Sequence, residues 1–453
     1  MNKEFDSHLS KTLELERAAT ATFGEMIKET QSRWKKRTES WLCGVYLWSV
    51  VFLLVTASTG WALPQPADTN YDESKVPVYT LPDPLIDLAG KPVGKKEWGG
   101  HRREEILRLF EDHVYGSTPQ QNLPVRYEVV EIDREAVGGK ATRKQIAIFL
   151  GKGEYRLDVL MYVPNQAAGP VAGFLGLNFN GNHTVRSDPS IILQETGKAR
   201  GSSASRWQVE KIIDAGYALV TLHRDQVDPD NYQNDFSDGV HPLFYSEGQS
   251  QPADDQWGSI GAWAWALSRT LDYLETDDLV DASRVAVMGH SRLGKTALWA
   301  GAQDPRFAMV ISNNSGCGGA ALYRRCYGER IHHMVKPIGY WFCRDHHQYQ
   351  KREQDLPVDQ HMLMALIAPR PLYVASATKD RWADPQGEFL AAKYASPVYQ
   401  LYNRPALSDK KMPAPNSPIH TTVGYHLREG AHNVTAYDWQ QYLNFANQFL
   451  LSK

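Results

Sequence analysis

Short apolar runs separated by stretches of helical spacing make up most of the chain after residue 140. The run 156–164, "RLDVLMYVP", alternates apolar and polar side chains with a period of two, which predicts a strand. The run 144–150, "KQIAIFL", is also typical of a strand. Five later runs are apolar at nearly every position, as in strands of a parallel sheet that is covered on both faces: 171–179, 217–223, 284–288, 308–313 and 371–376.

Apolar residues recur at helical spacing before the first of these runs and between the later ones. Residues 103–116, "REEILRLFEDHVYG", predict a helix that ends at Gly116. Helical spacing also covers 207–216, 261–276, 294–303 and 436–451. Strands that alternate with helices predict an α/β domain with a mostly parallel sheet and helices on both faces, and we assign it to residues 81–453.

Two long insertions, at about 182–207 and 320–360, interrupt this pattern. Together they contain many Arg, His, Tyr and Trp residues. Loops of this length in a compact domain are either functional or disordered. The aromatic and basic content favours a functional role.

An uncharged segment near the start of the chain predicts export. Residues 41–62 follow the basic stretch 33–37 and have small side chains near their end, as in a secretory signal cleaved near Ala62. Residues 1–40 form an N-terminal extension, and Met26 is a plausible alternative start. The competing interpretation is a retained membrane anchor. The Pro-rich stretch 63–80 predicts a linker, and the rest of the chain is expected outside the cytoplasm, in the periplasm or secreted.

The overall composition limits the choice of partners and of redox chemistry. The 453 residues are 42% hydrophobic and 22% charged, with a net charge of -3, which argues against a nucleic-acid partner. Besides Cys43 in the uncharged segment, the chain has Cys317, Cys326 and Cys343. An exported protein with these three thiols has one disulfide at most. The alternative is that at least one of them is simply a buried small side chain.

The stretch "RVAVMGHSRLG" contains the candidate nucleophile, Ser291. A predicted strand, Gly289, the serine and then a predicted helix follow one another, as in the strand-turn-helix that exposes a reactive serine in hydrolases. The second glycine is Gly294, whereas the common G-x-S-x-G pattern would have it at 293, where this chain has Leu. The alternative role for Ser291 is a helix cap.

The expected partners of such a serine are an acid after a late strand and a histidine before the last helix. His432 in "REGAHNVTAYDW" has the loop position that this order requires, whereas His426 has the alternation of a strand residue and His420 lies in a polar loop. Asp380 lies just past the last predicted strand and is the favoured acid. Asp384 precedes a proline and is the alternative, as a helix cap.

Arg292 directly follows the serine. Its backbone N–H is an expected donor to the oxyanion, and its guanidinium would place a fixed positive charge where negative charge develops. The alternative is an ordinary exposed arginine at a helix start. That alternative is disfavoured because a cation at a helix N-terminus opposes the helix dipole.

Several of these stretches together resemble the glucuronoyl esterases, carbohydrate esterase family 15, over residues 80–450. They are "GHSRLGK", "NNSGCGGAALYRR", "GER", "KDRWADP" and "EGAHNVTAYDW". The resemblance implies an α/β-hydrolase fold and hydrolysis of the ester between glucuronate on xylan and an alcohol of lignin. It implies no metal, organic cofactor or obligate protein partner. The roles that it implies are Ser291 as nucleophile, His432 as base, Arg292 at the oxyanion, and Lys295, Glu329 and Trp382 as sugar contacts.

One position departs from the family pattern. Asn314 stands where many members carry the acid as Glu, so the acid is expected from elsewhere, and Asp380 fills that role. Two other functions stay open from the sequence. One is an acetyl xylan esterase or another carbohydrate ester hydrolase, and the other is a non-catalytic sugar-binding protein with a hydrolase fold.

Overall fold

The computed structural model describes residues 66–152, 155–408 and 410–451. These residues belong to one compact unit, Pro66–Lys453. The extension 1–40, the alternative start Met26 and the uncharged segment 41–62 lie outside the described residues. Within the described ranges, no helix is both long enough and apolar enough to span a bilayer.

A single mixed sheet of ten strands forms the centre of the described part of the chain, in the order β1-β2-β3-β5-β4-β6-β7-β8-β10-β9. The strands from β5 across to β10 are parallel to their neighbours, and the remaining pairs are antiparallel. The strands are β1 Val125–Ala136, β2 Ala141–Leu150, β3 Tyr155–Pro164, β4 Val171–Asn178, β5 Ala218–His223, β6 Val280–His290, β7 Met309–Asn313, β8 Leu372–Ala377, β9 Ile419–His420 and β10 Val423–Arg428.

Helices cover both faces of this sheet, which confirms the predicted α/β architecture. Alternate side chains of β6 point into two separate apolar cores, with Val285 and Val287 in one and Ala286 and Met288 in the other. The helices are α1 Lys95–Glu97, α2 Arg103–Phe110, α3 Val209–Asp214, α4 Ser259–Leu274, α5 Arg292–Gln303, α6 Ile331–Ile338, α7 Gln360–Ala365, α8 Pro385–Tyr394, α9 Ser396–Gln400 and α10 Ala436–Ala446. Helices α4 and α5 contribute to the first core, and α3 and α10 to the second.

The seven predicted strands correspond to β2 through β8. The pattern did not predict β1, whose sequence "VRYEVVEIDREA" is largely charged. This strand lies at the edge of the sheet and exposes Val129, Val130 and Ile132. An edge strand that packs little of its surface has no reason to show a strong apolar pattern.

The parallel strands bring the candidate residues to one edge of the sheet. His290 at the end of β6 pairs with Asn313 at the end of β7, and Ala377 at the end of β8 pairs with Arg428 at the end of β10. The segments that follow these four strands therefore start side by side. In parallel α/β sheets, ligands bind at this carboxyl edge.

The cysteines contribute no disulfide to the described fold. Cys317, Cys326 and Cys343 are all free thiols, so the one disulfide that their number would allow is not formed. Cys317 and Cys343 are buried, as the alternative interpretation predicted. Burial raises the pKa of Cys343 to about 12, which keeps this thiol protonated and unreactive.

Candidate active site

The turn that carries Ser291 is sterically tight. Ser291 has φ +59° and ψ -130°, and it occupies the N-cap position of α5 without a capping hydrogen bond from its hydroxyl, so the helix-cap alternative does not account for the side chain. A Cβ at Gly289 would lie 1.8 Å from the carbonyl oxygen of Leu293, and one at Gly294 would lie 2.9 Å from the Cβ of Ser315. Both positions therefore require glycine in this turn. Position 293 has no such requirement, and its leucine side chain is buried in the core.

The structure brings His432 and Asp380 together. The Nδ1–H of His432 donates to Oδ2 of Asp380 at 2.6 Å, and the Asp380 side chain is 5% exposed while the imidazole is 42% exposed. This contact orients the ring and leaves Nε2 as the nitrogen that can take up a proton. The ring of His432 lies 4.4 Å, between centroids, from that of His290, the residue before Ser291.

Asn314 supports the acid from a second direction. Its Nδ2 donates to the same Oδ2 of Asp380 at 2.8 Å, and its backbone N–H donates to Ala375 at 2.7 Å. The side chain is buried, and its Oδ1 has no hydrogen-bond partner among the described residues. Asn314 therefore contacts the carboxylate that the sequence predicted as the acid.

Asp384, the alternative acid, has a different set of partners. Its carboxylate accepts from the backbone N–H of Gly387 at 3.0 Å, as the cap of α8, and forms an ion pair with Arg325 at 2.8 Å. Burial raises its pKa to about 6 despite the neighbouring guanidinium. These contacts are those of the helix cap that the alternative predicted.

The two other candidate histidines belong to a separate buried network. His426 lies in β10, as its alternation predicted, and its Nε2 is 2.9 Å from Oδ1 of Asp438. Its Nδ1 is 3.1 Å from the Tyr373 hydroxyl, which also lies 3.3 Å from Nε2 of His420. Burial lowers the pKa of His426, and the network leaves both of its ring nitrogens occupied.

The Arg292 guanidinium is held near the nucleophile by contacts that the sequence did not indicate. Its Nη1 forms an ion pair with Asp230, and its Cζ lies 4.5 Å from the centroid of the Trp341 ring. Burial lowers its pKa from the ordinary 12.5. Asp230 follows β5 and Trp341 lies in the insertion 320–360. The sequence offered one signal for a role of Asp230 in the site: it is one of three aspartates in the segment 224–230 that follows the parallel strand β5.

Lys295 and Glu329, two of the predicted sugar contacts, form a buried ion pair. Nζ of Lys295 donates to Oε2 of Glu329 at 3.2 Å and also to the carbonyl of Cys317. The Lys295 side chain is 3% exposed and that of Glu329 is 12% exposed, so Glu329 is not a solvated surface residue. An ammonium has three donors, so this arrangement leaves one of them for a ligand.

Trp382 lies beside this pair. Its carbonyl accepts from the backbone N–H of Glu329 at 2.9 Å, and its ring stacks on that of His333 with centroids 5.3 Å apart. The indole is partly exposed. The structure thus brings the three predicted sugar contacts into one wall.

A group of metal-ligand side chains lies behind that wall. The ligand atoms of Asp68, His332 and His333 lie within 4.8 Å of one another. The Nδ1 of His333 accepts from the backbone N–H of Arg330, so its Nε2 carries the proton and donates to Asp68 at 3.1 Å. A protonated Nε2 does not ligate a metal ion, and Lys351 lies 3.6 Å from the same carboxylate. These contacts fit a carboxylate that is hydrogen-bonded by His333 and ion-paired with Lys351 better than they fit a metal centre.

Comparison with known proteins places this geometry in a family. A family model described as "Glucuronyl esterase, fungi" matches residues 191–403. Carbohydrate esterase MZ0003, from an unknown prokaryotic organism, is 46% identical over 426 residues, which cover 88% of this chain and 98% of that protein. The 4-O-methyl-glucuronoyl methylesterase of Schizophyllum commune is 27% identical and covers 79% of this chain and 82% of its own length.

The solved structures agree with the sequence relatives. A glucuronoyl esterase from Solibacter usitatus superposes with a TM-score of 0.80 at 47% identity, over 83% of this chain and 99% of that chain. The fold, the nucleophile turn and the sequence identity over nearly the whole of these relatives lead to one conclusion. The chain is a carboxylic ester hydrolase and belongs to the glucuronoyl esterases, carbohydrate esterase family 15.

Proposed function

We propose that the chain hydrolyses esters of 4-O-methylglucuronate by forming an acyl-enzyme on Ser291. The observation that carries this proposal is the 2.6 Å contact between His432 and Asp380, at the edge of the sheet where the Ser291 turn begins. A hydroxyl is a weak nucleophile until a base takes up its proton. The relatives named as glucuronoyl and 4-O-methyl-glucuronoyl esterases support the choice of acyl group.

In the first step, Oγ of Ser291 attacks the ester carbonyl while Nε2 of His432 takes up the hydroxyl proton. Asp380 stabilises the imidazolium that forms. The negative charge on the carbonyl oxygen is stabilised by the backbone N–H and the guanidinium of Arg292. When the intermediate collapses, the alcohol leaves with the proton from His432. A water molecule then repeats the sequence on the acyl-enzyme and releases glucuronate.

The sugar is held by the wall of Lys295, Glu329 and Trp382. The free donor of the Lys295 ammonium and the carboxylate of Glu329 bind hydroxyl groups of the sugar, while the partly exposed indole packs against its ring. The natural substrates are then glucuronate esters of xylan and of lignin-carbohydrate fragments, in which the glucuronate is the acyl group.

The substrate proposal is tested with two purified esters, methyl 4-O-methylglucuronate and an acetylated xylose, by comparing kcat/KM. The proposal predicts a higher value for the glucuronate ester. A preference for the acetylated sugar would identify an acetyl xylan esterase. Binding of the sugars without turnover of either ester would identify a sugar-binding protein.

We also propose that residues 41–62 direct export and are removed near Ala62. The support is the basic-then-apolar order of the segment and the small residues at its end. To test this, the full chain is expressed in a bacterium that exports proteins, and the N-terminus of the recovered protein is sequenced. A new N-terminus next to Ala62 is expected, and an intact chain recovered with membranes would show an anchor.

A further inference from the structure

Four side chains converge on the carboxylate of Asp230, which is 1% exposed. The guanidinium groups of Arg224 and Arg292 both form ion pairs with its Oδ2. Oδ1 accepts from the Tyr340 hydroxyl at 2.6 Å and from Nε1 of Trp341 at 2.8 Å. A carboxylate bonded from both sides in this way has one orientation.

Apart from Asp230, aromatic rings contact the Arg292 guanidinium: its Cζ lies 4.5 Å from the centroid of the Trp341 ring and 5.8 Å from that of Phe179. Its backbone begins α5, where the helix dipole repels a cation, and the guanidinium of Arg224 acts on it as a second positive charge. Its Nε has no hydrogen-bond partner among the described residues, and a third of the side chain is exposed. Asp230 is the one carboxylate within ion-pair distance of Arg292 in the described part of the chain. Without that charge, only the two aromatic rings would contact the guanidinium, and no hydrogen bond or ion pair from the described residues would fix its position.

We infer that Asp230 is a positioning residue for the ester hydrolysis: it holds the Arg292 guanidinium where the oxyanion forms. Tyr340 and Trp341 fix the carboxylate, and the carboxylate fixes the arginine. This inference rests on the proposed function, because the guanidinium matters only if an oxyanion develops next to Ser291. The inference gives the insertion 320–360 a part in the reaction, because its residues Tyr340 and Trp341 hold the carboxylate that positions the Arg292 guanidinium.

The kinetic consequence follows from when the charge appears. The carbonyl oxygen of the bound ester is neutral and becomes an anion only in the transition state, so a correctly placed guanidinium lowers the barrier more than it strengthens substrate binding. Displacing it therefore lowers kcat and leaves KM nearly unchanged. An effect through folding alone would lower the active fraction or the melting temperature without depending on Arg292.

The test is a double-mutant cycle of Asp230→Asn and Arg292→Ala, with methyl 4-O-methylglucuronate as substrate. In the wild-type background, Asp230→Asn is expected to lower kcat by about tenfold or more, with KM within about threefold. In the Arg292→Ala background, the same substitution is expected to change kcat by less than about twofold, because the group through which it acts is gone. An equal loss in both backgrounds would overturn the inference.

Two further variants guard against a folding artefact. Tyr340→Phe removes only one hydrogen bond to Asp230, and its smaller loss of kcat must also disappear in the Arg292→Ala background. Asp235→Asn is the matched control, because the exposed carboxylate of Asp235 accepts from the backbone N–H and the hydroxyl of Ser237 and forms no ion pair with Arg224 or Arg292 among the described residues; its kcat should equal that of wild type. Absence of turnover by the wild-type protein would contradict the proposed function, whereas an active Asp230→Asn protein with wild-type kcat would contradict only this inference.

Discussion

A single oxygen atom of Asp380 accepts both of the hydrogen bonds that hold its carboxylate in the site. Its Oδ2 accepts from Nδ1 of His432 and from Nδ2 of Asn314, in a side chain that is almost fully buried. A neutral amide at 314 orients the carboxylate without adding a second negative charge, which would raise the pKa of one of the two acids. The proposed acid and the amide that contacts it thus lie on two loops that follow the neighbouring strands β7 and β8.

Replacing the acid by its amide tests this division of roles. Asp380→Asn leaves the shape of the site unchanged but removes the charge that stabilises the imidazolium, so kcat is expected to fall by about three to four orders of magnitude. Asp384→Asn, the matched control, loses an ion pair with Arg325 and is expected to lower the melting temperature with kcat within a few-fold of wild type. Equal and mild losses in both variants would remove Asp380 from the reaction.

Glu388 provides a prediction about pH. This side chain is fully buried beneath the Asn314 loop, where Oε1 accepts from the backbone N–H of Ser315 and of Gly316, and Oε2 accepts from the Ser376 hydroxyl. Burial raises its pKa from 4.5 to about 8. The folded protein therefore holds this proton more tightly than the unfolded chain does.

The stability that Glu388 contributes is then fully present below pH 4.5 and is lost as the pH rises to about 8. Glu388→Gln removes the titration: its amide oxygen can accept from the two backbone N–H groups, and its Nε2 donates to the Ser376 oxygen, as the protonated carboxyl would. Melting temperatures of both proteins, measured across this range, should show wild type losing stability relative to the variant as the pH rises. Parallel curves would mean that the carboxyl of Glu388 keeps its ordinary pKa.

At the level of elements, the strand-turn-helix of β6 and α5 is the most constrained part of the site. Its glycines lie where the backbone of the turn and the loop after β7 leave no room for a Cβ. The sequence predicted this element well, because apolar β6 and the helical spacing of α5 are both local patterns. The sequence predicted the pair of His432 and Asp380 only by their order along the chain, because the contact between them depends on the pairing of β8 with β10.

Alanine substitutions test the turn. Gly289→Ala is expected to abolish activity and to lower the melting temperature strongly, because its Cβ would lie 1.8 Å from a backbone oxygen. Gly294→Ala, 2.9 Å from a side-chain carbon, is expected to have a smaller effect on both. Gly99→Ala is the control, since a Cβ there has nothing within 4 Å and should change neither quantity.

At the scale of the whole molecule, the start of the described chain is tied to the insertion 320–360, which includes Glu329 of the wall. Residues 63–80 were predicted as a linker, and in the described part of that stretch Asp68 contacts His332 at 2.9 Å and Glu73 contacts Arg325 at 2.8 Å. No local sequence pattern predicts these contacts, because each joins residues more than 250 positions apart. Asp230 and Arg292 are 62 positions apart, which also lies beyond the reach of a local pattern, so Asp230 was missed as a partner of Arg292.

Removing both ties tests their effect on the wall. The double variant Asp68→Asn, Glu73→Gln is expected to raise KM by about two- to fivefold with kcat unchanged, since the ties support groups that bind the sugar throughout the reaction. The melting temperature should change little, because both acidic side chains are more than half exposed. Lys75→Ala, on the same segment, is the control. A lower kcat at constant KM would contradict this role.

The central claim is that Ser291 attacks the ester, and Ser291→Ala tests it most directly. The account predicts that kcat for methyl 4-O-methylglucuronate falls by several orders of magnitude while the melting temperature and the affinity for the sugar stay close to those of wild type. Hydrolysis by the Ser291→Ala protein at a rate near that of wild type would contradict it.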